Sequence, residues 1–148
     1  VAKPVMGSRS QGIIVMTDMH DLSDIVLEDY LFEKFIVGKE MRYVVLHNKV
    51  VCVLEKKNDG SDSAHRISYP QSEWDTEFVN LSLKITQTLG LGFAAVDFII
   101  DERGKAFVLE VNSAPAMRRM QNPTSGPGIP IIRMFLKATI AQIKRDAR

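Results

Sequence analysis

Val108-Leu109-Glu110-Val111-Asn112-Ser113-Ala114-Pro115, preceded by the apolar run Phe93–Ile100 that Asp97 interrupts, is the stretch on which the fold of this chain turns. Side chains at i and i+2 of a strand share a face, so Glu110 and Asn112 project together, with Asp97 on the strand before them. Three oxygen donors on neighbouring strands suggest a Mg²⁺ site serving a nucleotide phosphate. Two other readings stay open: ion pairing of Asp97 and Glu110 with Arg42 or Lys3, and general acid–base work by the two carboxylates. Asn112 favours the metal, because an amide offers a neutral oxygen and has no useful pKa.

The chain has 148 residues, 45% of them hydrophobic, which is enough for the core of one soluble domain or a piece of one. Its net charge is +1, from 19 basic and 18 acidic residues, so no strong field draws it to nucleic acid or to an anionic membrane. Cys52 stands alone inside the apolar stretch Lys49–Leu54, which excludes an internal disulfide and fits a reducing, cytoplasmic compartment. No apolar run approaches a membrane span, and no signal peptide is visible. Val1 enters a strand pattern without Met or polar fraying, so upstream sequence is expected to be missing.

Alternation and helical spacing give an α+β unit with mainly antiparallel sheets and helices packed on them. Val1–Val5 and Ile13–Met16 read as a hairpin around a Gly/Ser loop, Asp18–Glu28 as a helix, and Leu31–Ile36 as a strand. Met41–His47 and Lys49–Leu54 read as an antiparallel pair turning at His47-Asn48. Glu55–Gln71 is polar and reads as an exposed loop. The spacing predicts a helix over Ser72–Thr88 with Ser72 as N-cap, ended by Gly90 and Gly92. Gly92–Ile100 and Lys105–Val111 form a second hairpin, and after the Pro/Gly-rich Pro123–Pro130 an amphipathic helix occupies Ile131–Ile143. The division is into residues 1–30 and 31–148.

Two further constellations accompany the carboxylates. Lys3-Pro4 with Gly7-Ser8-Arg9-Ser10-Gln11-Gly12 combines positive charge, hydroxyl donors and glycines that let backbone N–H groups approach phosphate oxygens. It is not a Walker A loop, since Gly-Lys-Ser/Thr is missing and a strand follows, and a plain hairpin remains the alternative. Leu31-Phe32-Glu33-Lys34-Phe35-Ile36, followed by Gly38, Glu40 and Arg42, is either an ordinary strand with a charged face or a segment whose backbone meets an adenine edge, with a carboxylate at a ribose. Arg42, among Met41, Tyr43, Val44 and Val45, needs an anionic partner, either a carboxylate or a phosphate.

In this order, Lys-Pro with a Gly/Ser loop, Glu-Lys-Phe-Ile-Val-Gly-Lys-Glu-Met-Arg-Tyr-Val-Val, Val-Asp-Phe-Ile and Leu-Glu-Val-Asn-Ser-Ala-Pro resemble the ATP-grasp superfamily from Lys3 to about Pro115. Within it the likeness is to carboxylate–amine ligases of the ribosomal-protein glutamate ligase, glutathione synthetase and D-alanine:D-alanine ligase type. The resemblance implies two α+β subdomains, ATP and Mg²⁺ as cofactors, and carboxylate and amine substrates joined through an acyl phosphate. It implies that Lys3 contacts the α- and β-phosphates, that Gly7, Ser8, Arg9, Ser10 and Gly12 belong to the loop over the phosphates, and that Glu33, Lys34, Phe35 and Ile36 form the adenine hinge. By the same likeness Glu40 meets the ribose, and Asp97, Glu110 and Asn112 hold the Mg²⁺ ions. Arg66 stands near the acyl phosphate, and Arg42 matches an arginine of the central sheet whose role stays open.

No protein nucleophile is needed for such a reaction, which agrees with a buried Cys52 and with His20, His47 and His65 at no metal-binding spacing. The N-terminal substrate domain of the family is absent from the sequence, and Ala116 stands where many relatives have Gly after Pro115. The alternative function is a non-catalytic nucleotide-binding or structural subunit of a larger assembly. Apolar surface near Ile129–Phe135 favours association into a homo-oligomer.

Overall fold

The computed structural model describes residues 1–6, 12–16, 26–57 and 65–147. It divides into two compact units, Val1–Val37 and Gly38–Arg148. Among the described residues no helix is long and apolar enough to cross a membrane.

In the first unit, β1 (Ala2–Pro4) pairs antiparallel with β2 (Tyr30–Phe32), Lys3 opposite Leu31. The expected partner strand Ile13–Met16 is reduced to a single bridge, in which Ala2 and Ile14 exchange backbone bonds of 2.8 and 2.9 Å. Ala2 donates toward Ile14, and two residues on, at the same edge, stands Pro4 with no N–H to donate; the ladder stops there. The strand expected over Leu31–Ile36 ends at Phe32, with residues 33–37 in no strand. Most of the helix expected over Asp18–Glu28 lies outside the described residues, and its described end belongs to a 3₁₀ turn at Leu27–Asp29.

The second unit is built on a five-stranded antiparallel sheet. Its strands are β3 (Lys39–Leu46), β4 (Lys49–Lys57), β5 (His65–Ser68), β6 (Phe93–Ile100) and β7 (Ala106–Asn112), in the order β5-β4-β3-β6-β7. The β3–β4 turn is the expected His47-Asn48, both at positive φ (43° and 61°), the two-residue geometry whose twist matches that of paired strands. The loop expected over Glu55–Gln71 gives way to strand at both ends, since β4 runs to Lys57 and β5 pairs with it, Arg66 opposite Lys56. Polar residues here reflect a sheet edge, where one face is wet, rather than a lack of pairing.

Alternation sends Met41, Tyr43, Val53, Val96 and Phe98 to one face, where they meet Phe78 of α1 (Thr76–Thr88). Tyr43, Phe78 and Phe98 form an aromatic cluster with centroids 5.6–6.2 Å apart. The other face carries Val44, Leu46, Cys52, Leu54 and Ala95 against Met120 of α2 (Arg118–Gln121) and Ile131 of α3 (Ile131–Asp146). Burial pushes the Cys52 thiol up to about 11, as befits an inert core residue. Helix α1 starts three residues later than expected: Asp75, not Ser72, is the N-cap, accepting from the amides of Glu77 (2.8 Å) and Phe78 (3.4 Å). A carboxylate suits a helix N-terminus better than a hydroxyl does, and Ser72 is taken up in the 3₁₀ turn Gln71–Glu73.

At the end of the α1 face, buried Glu55 accepts from the Tyr69 hydroxyl and lies 3.1 Å from the Lys39 amine. A hollow of about 290 Å³ opens beside this network, lined in part by Lys39, Tyr43, Tyr69 and Phe78. Burial acts to raise the Glu55 carboxyl, but the hydrogen bonds from Tyr69 and Lys39 outweigh it, and the group sits below its ordinary value of 4.5. A carboxyl depressed in the folded state stabilises it above the ordinary value and loses that contribution as pH falls through the lowered one. Glu55→Gln is therefore expected to cost about 1–2 kcal/mol near neutrality and less near pH 3. Urea melts at the two pH values check this, and an equal cost at both would remove the linkage.

Candidate active site

The face that α2 and α3 cover is apolar at one end only. At the other end the same alternation brings Glu40 and Arg42 of β3, Lys56 of β4, Arg66 of β5, Asp97 of β6 and Glu110 of β7 to one side of the sheet. Arg42 stands opposite Asp97, and its guanidinium grips that carboxylate with two bonds, Nε to Oδ1 at 2.7 Å and Nη2 to Oδ2 at 2.5 Å. The fork fits a carboxylate bidentately, and the pair satisfies a carboxylate that is only 7% exposed. The structural ion pair left open from sequence thus exists between Arg42 and Asp97, whereas Lys3 pairs with Glu33.

Glu110 faces Asp97 because of a bulge. Phe98 is opposite Val108, and an unbroken register would set Asp97 against Leu109; the extra residue instead brings Glu110 opposite Asp97 and Asn112 opposite Ala95. Glu110 is less sheltered than Asp97: its side chain is 58% exposed, and Arg42 reaches it at 3.6 Å. Its carboxyl is held above the ordinary range, first by loss of hydration and then by the charge of and hydrogen bond to Asp97, against the pull of Arg42. Two carboxylates sharing one guanidinium leave the place short of positive charge. The Asn112 amide oxygen accepts from Ala114 N–H at 2.9 Å, which orients it and leaves its second lone pair.

This donor set fits Mg²⁺. All its atoms are hard oxygens, and Mg²⁺ is commonly bound by one or two carboxylates together with substrate phosphates rather than by an all-protein cage. Among the described residues, no three His, Cys, Asp or Glu side chains gather into a metal-binding group.

Lys56 donates to Glu40 at 2.9 Å, and Glu40, Arg42, Lys56, Arg66 and Asp97 line a small cavity. Arg42 and Lys56 each have a carboxylate partner; among the described residues Arg66 has none at ion-pair distance. The Arg66 guanidinium is lowered from its ordinary value by burial and by the neighbouring charge of Arg42. Lys56 was missed in the sequence because its stretch was read as loop; the i, i+2 spacing of Leu54 and Lys56 was the available signal.

In the first unit, the Lys3 amine is bonded to the Glu33 carboxylate, so two residues assigned to the nucleotide hold each other. The Glu33 backbone is also engaged, exchanging bonds of 2.8 and 2.9 Å with Val1. Lys34 and Phe35 are exposed, and Ile36 is half-buried. Gly12 has φ +74° and lies against the Pro4 ring. Gly7, Ser8, Arg9 and Ser10 lie outside the described residues, as does His20.

The second unit thus sets acids on adjacent strands of one antiparallel sheet that carries helices on both faces. The solved structure of the ATP-grasp ligase PsnB complexed with minimal precursor superposes on 93% of this chain and 47% of its own, with TM-score 0.68 at 20% identity, a likeness of fold. Residues 1–132 match the RimK-like ATP-grasp domain, and the chain belongs to that family. The D-alanine–D-alanine ligase of Aquifex aeolicus (strain VF5) is 28% identical over 137 residues, covering 81% of this chain and 47% of that protein. The N-acetylaspartylglutamate synthase A of Mus musculus is 29% identical over 128 residues, covering 76% and 33%. The chain thus spans about half or less of the length of these curated relatives.

Proposed function

We propose that this chain is the nucleotide- and metal-binding part of an ATP- and Mg²⁺-dependent carboxylate–amine ligase working through an acyl phosphate. The observation that carries the reading is the Asp97–Glu110 pair, two facing carboxylates served by one arginine, in a chain of the RimK-like ATP-grasp family. Asp97, Glu110 and Asn112 would hold Mg²⁺, which when bound neutralises phosphate oxygens. Arg42, fixed by Asp97, keeps the acidic strands in register and adds a positive charge beside them. Arg66, without a carboxylate of its own among the described residues, would donate to the oxygens of the phosphoryl group as a substrate carboxylate oxygen attacks the γ-phosphorus and ADP departs. The amine then attacks the acyl carbon, and inorganic phosphate leaves with the bonding electrons.

Glu40, which accepts from Lys56 through Oε1, is assigned to a ribose hydroxyl. In the first unit, Lys3 and residues 7–12 are assigned to phosphates and Glu33–Ile36 to adenine, which requires Lys3 to exchange Glu33 for phosphate. Titration with Mg²⁺-ATP tests the reading. Ligand that prefers the native state at a hundred times its Kd stabilises by about 2.7 kcal/mol, so Tm should rise with both components present and little with either alone. A Tm unmoved at millimolar Mg²⁺-ATP would turn the choice to a structural subunit.

A further inference from the structure

Arg66 lies on the edge strand of the sheet, and what holds it there comes from the far end of the chain. In an antiparallel strand the N–H and C=O of one residue point to the same side. Those of Arg66 point outward, away from β4, to residues 124 and 125. Thr124 N–H donates to the Arg66 carbonyl at 2.8 Å, Ser125 N–H reaches the same oxygen at 3.4 Å, and the Arg66 N–H donates to the Thr124 hydroxyl oxygen at 3.1 Å. Ser68 N–H then donates to the Ser125 carbonyl at 2.9 Å, and Ile67 bridges Ser125 in parallel. The strap is itself fastened. Gly126, at φ +81°, packs so closely on the Ser68 carbonyl that no side chain fits, and Met120, earlier in the same segment, is fully buried.

The strap begins beyond Asn112 on β7, at one edge of the sheet, and ends against β5 at the other. It therefore ties the two ends of the charged row together: the acids at one end, the guanidinium at the other. Most of its bonds to β5 are main-chain and indifferent to side-chain identity. The Thr124 hydroxyl is the exception, and it serves the amide of the one basic residue in the row that has no carboxylate partner among those described.

We propose that Thr124 is a positioning residue: by fixing the Arg66 backbone at both N–H and C=O it sets the Arg66 guanidinium, beside Arg42 and Lys56, to receive a tetrahedral oxyanion. The proposal rests on the reading of Arg66 as an anion contact. Thr124 touches no reacting atom, and its effect is on how tightly Arg66 engages.

The test titrates inorganic phosphate into the 148-residue chain while the Nε–Hε signals of Arg42 and Arg66 are followed by NMR. Thr124→Val keeps the volume and the main-chain bonds but removes the acceptor for the Arg66 amide; phosphate affinity should fall about fivefold, the equivalent of one ordinary hydrogen bond. Thr124→Ser should restore it to within about twofold of the parent, which a merely bulky role for the side chain would not predict. Thr124→Ala serves where valine disturbs the fold, and Ser125→Ala, which keeps every backbone bond, should bind as the parent does. Wild-type affinity and an unchanged Arg66 shift in the valine or alanine variant, with Arg66→Gln weakened, overturn the role of Thr124 alone. Wild-type affinity in Arg66→Gln, or no response in the parent chain, overturns the anion reading of Arg66 and the proposal with it.

Discussion

Glu110→Gln is expected to remove ATP-dependent phosphate release from the intact protein by roughly a hundredfold to a thousandfold while leaving the fold as stable as before, or slightly more so. The sign of the stability change follows from the electrostatics of the pair. The Glu110 carboxyl is held above its ordinary range by lost hydration and by Asp97, so its ionised form is disfavoured in the folded protein. A neutral amide removes that repulsion at the cost of a 3.6 Å attraction to Arg42. The side chain is 58% exposed, so no cavity and no stranded polar group results. In the parent the same repulsion is what a divalent cation would relieve, and Mg²⁺ should raise the Tm of the parent more than that of the variant. Thermal melts with and without Mg²⁺, beside a phosphate-release assay, measure both arms. Turnover and Mg²⁺ response equal to the parent would remove Glu110 from the metal site.

Asp97 behaves differently, because it is both a proposed ligand and half of a sheltered ion pair. Arg42→Met is expected to destabilise the chain by about 3 kcal/mol, since it leaves a buried carboxylate without its two charge-assisted bonds. Asp97→Leu in the same molecule should recover most of that loss, because an apolar pair of similar volume replaces a charge pair whose desolvation was costly to begin with. Nucleotide-dependent activity should be absent from the double variant even where its stability is restored. Urea denaturation of the four members of the cycle gives the coupling. A single Arg42→Met variant as stable as the parent would mean that solvent already screens the pair.

Much of the second unit was legible in residue patterns. The β3–β4 and β6–β7 hairpins follow from apolar alternation broken by His47-Asn48 and by Asp101–Gly104, where the Asp101 carboxylate accepts from two later amides and Gly104 takes φ +79°. Helix α3 follows from its spacing, and it runs to Asp146, somewhat beyond the expected Ile143. Strand β5 escaped because four residues at a sheet edge carry too short and too polar a pattern to register. The cap of α1 was misplaced because Ser72 and Asp75 both satisfy the local rule, and the choice fell to the turn that Pro70 leads into.

The residue types and their i, i+2 spacing were enough to set Glu110 and Asn112 on one face as oxygen donors with Asp97 on the strand before them, because strand alternation is a local property that neighbouring residues impose on one another, whereas the tie to a phosphate-handling family came from the likeness of four motifs in order. Which of the acids is engaged was settled elsewhere. Arg42 and Asp97 are separated by 55 residues, and their meeting depends on β3 and β6 becoming neighbours in the sheet. Glu110 reaches Asp97 only through the one-residue bulge at Leu109, and Arg66 is held in place by Thr124, 58 positions away. Such pairings are consequences of strand order and register, which many distant contacts fix together and no short stretch of residues contains.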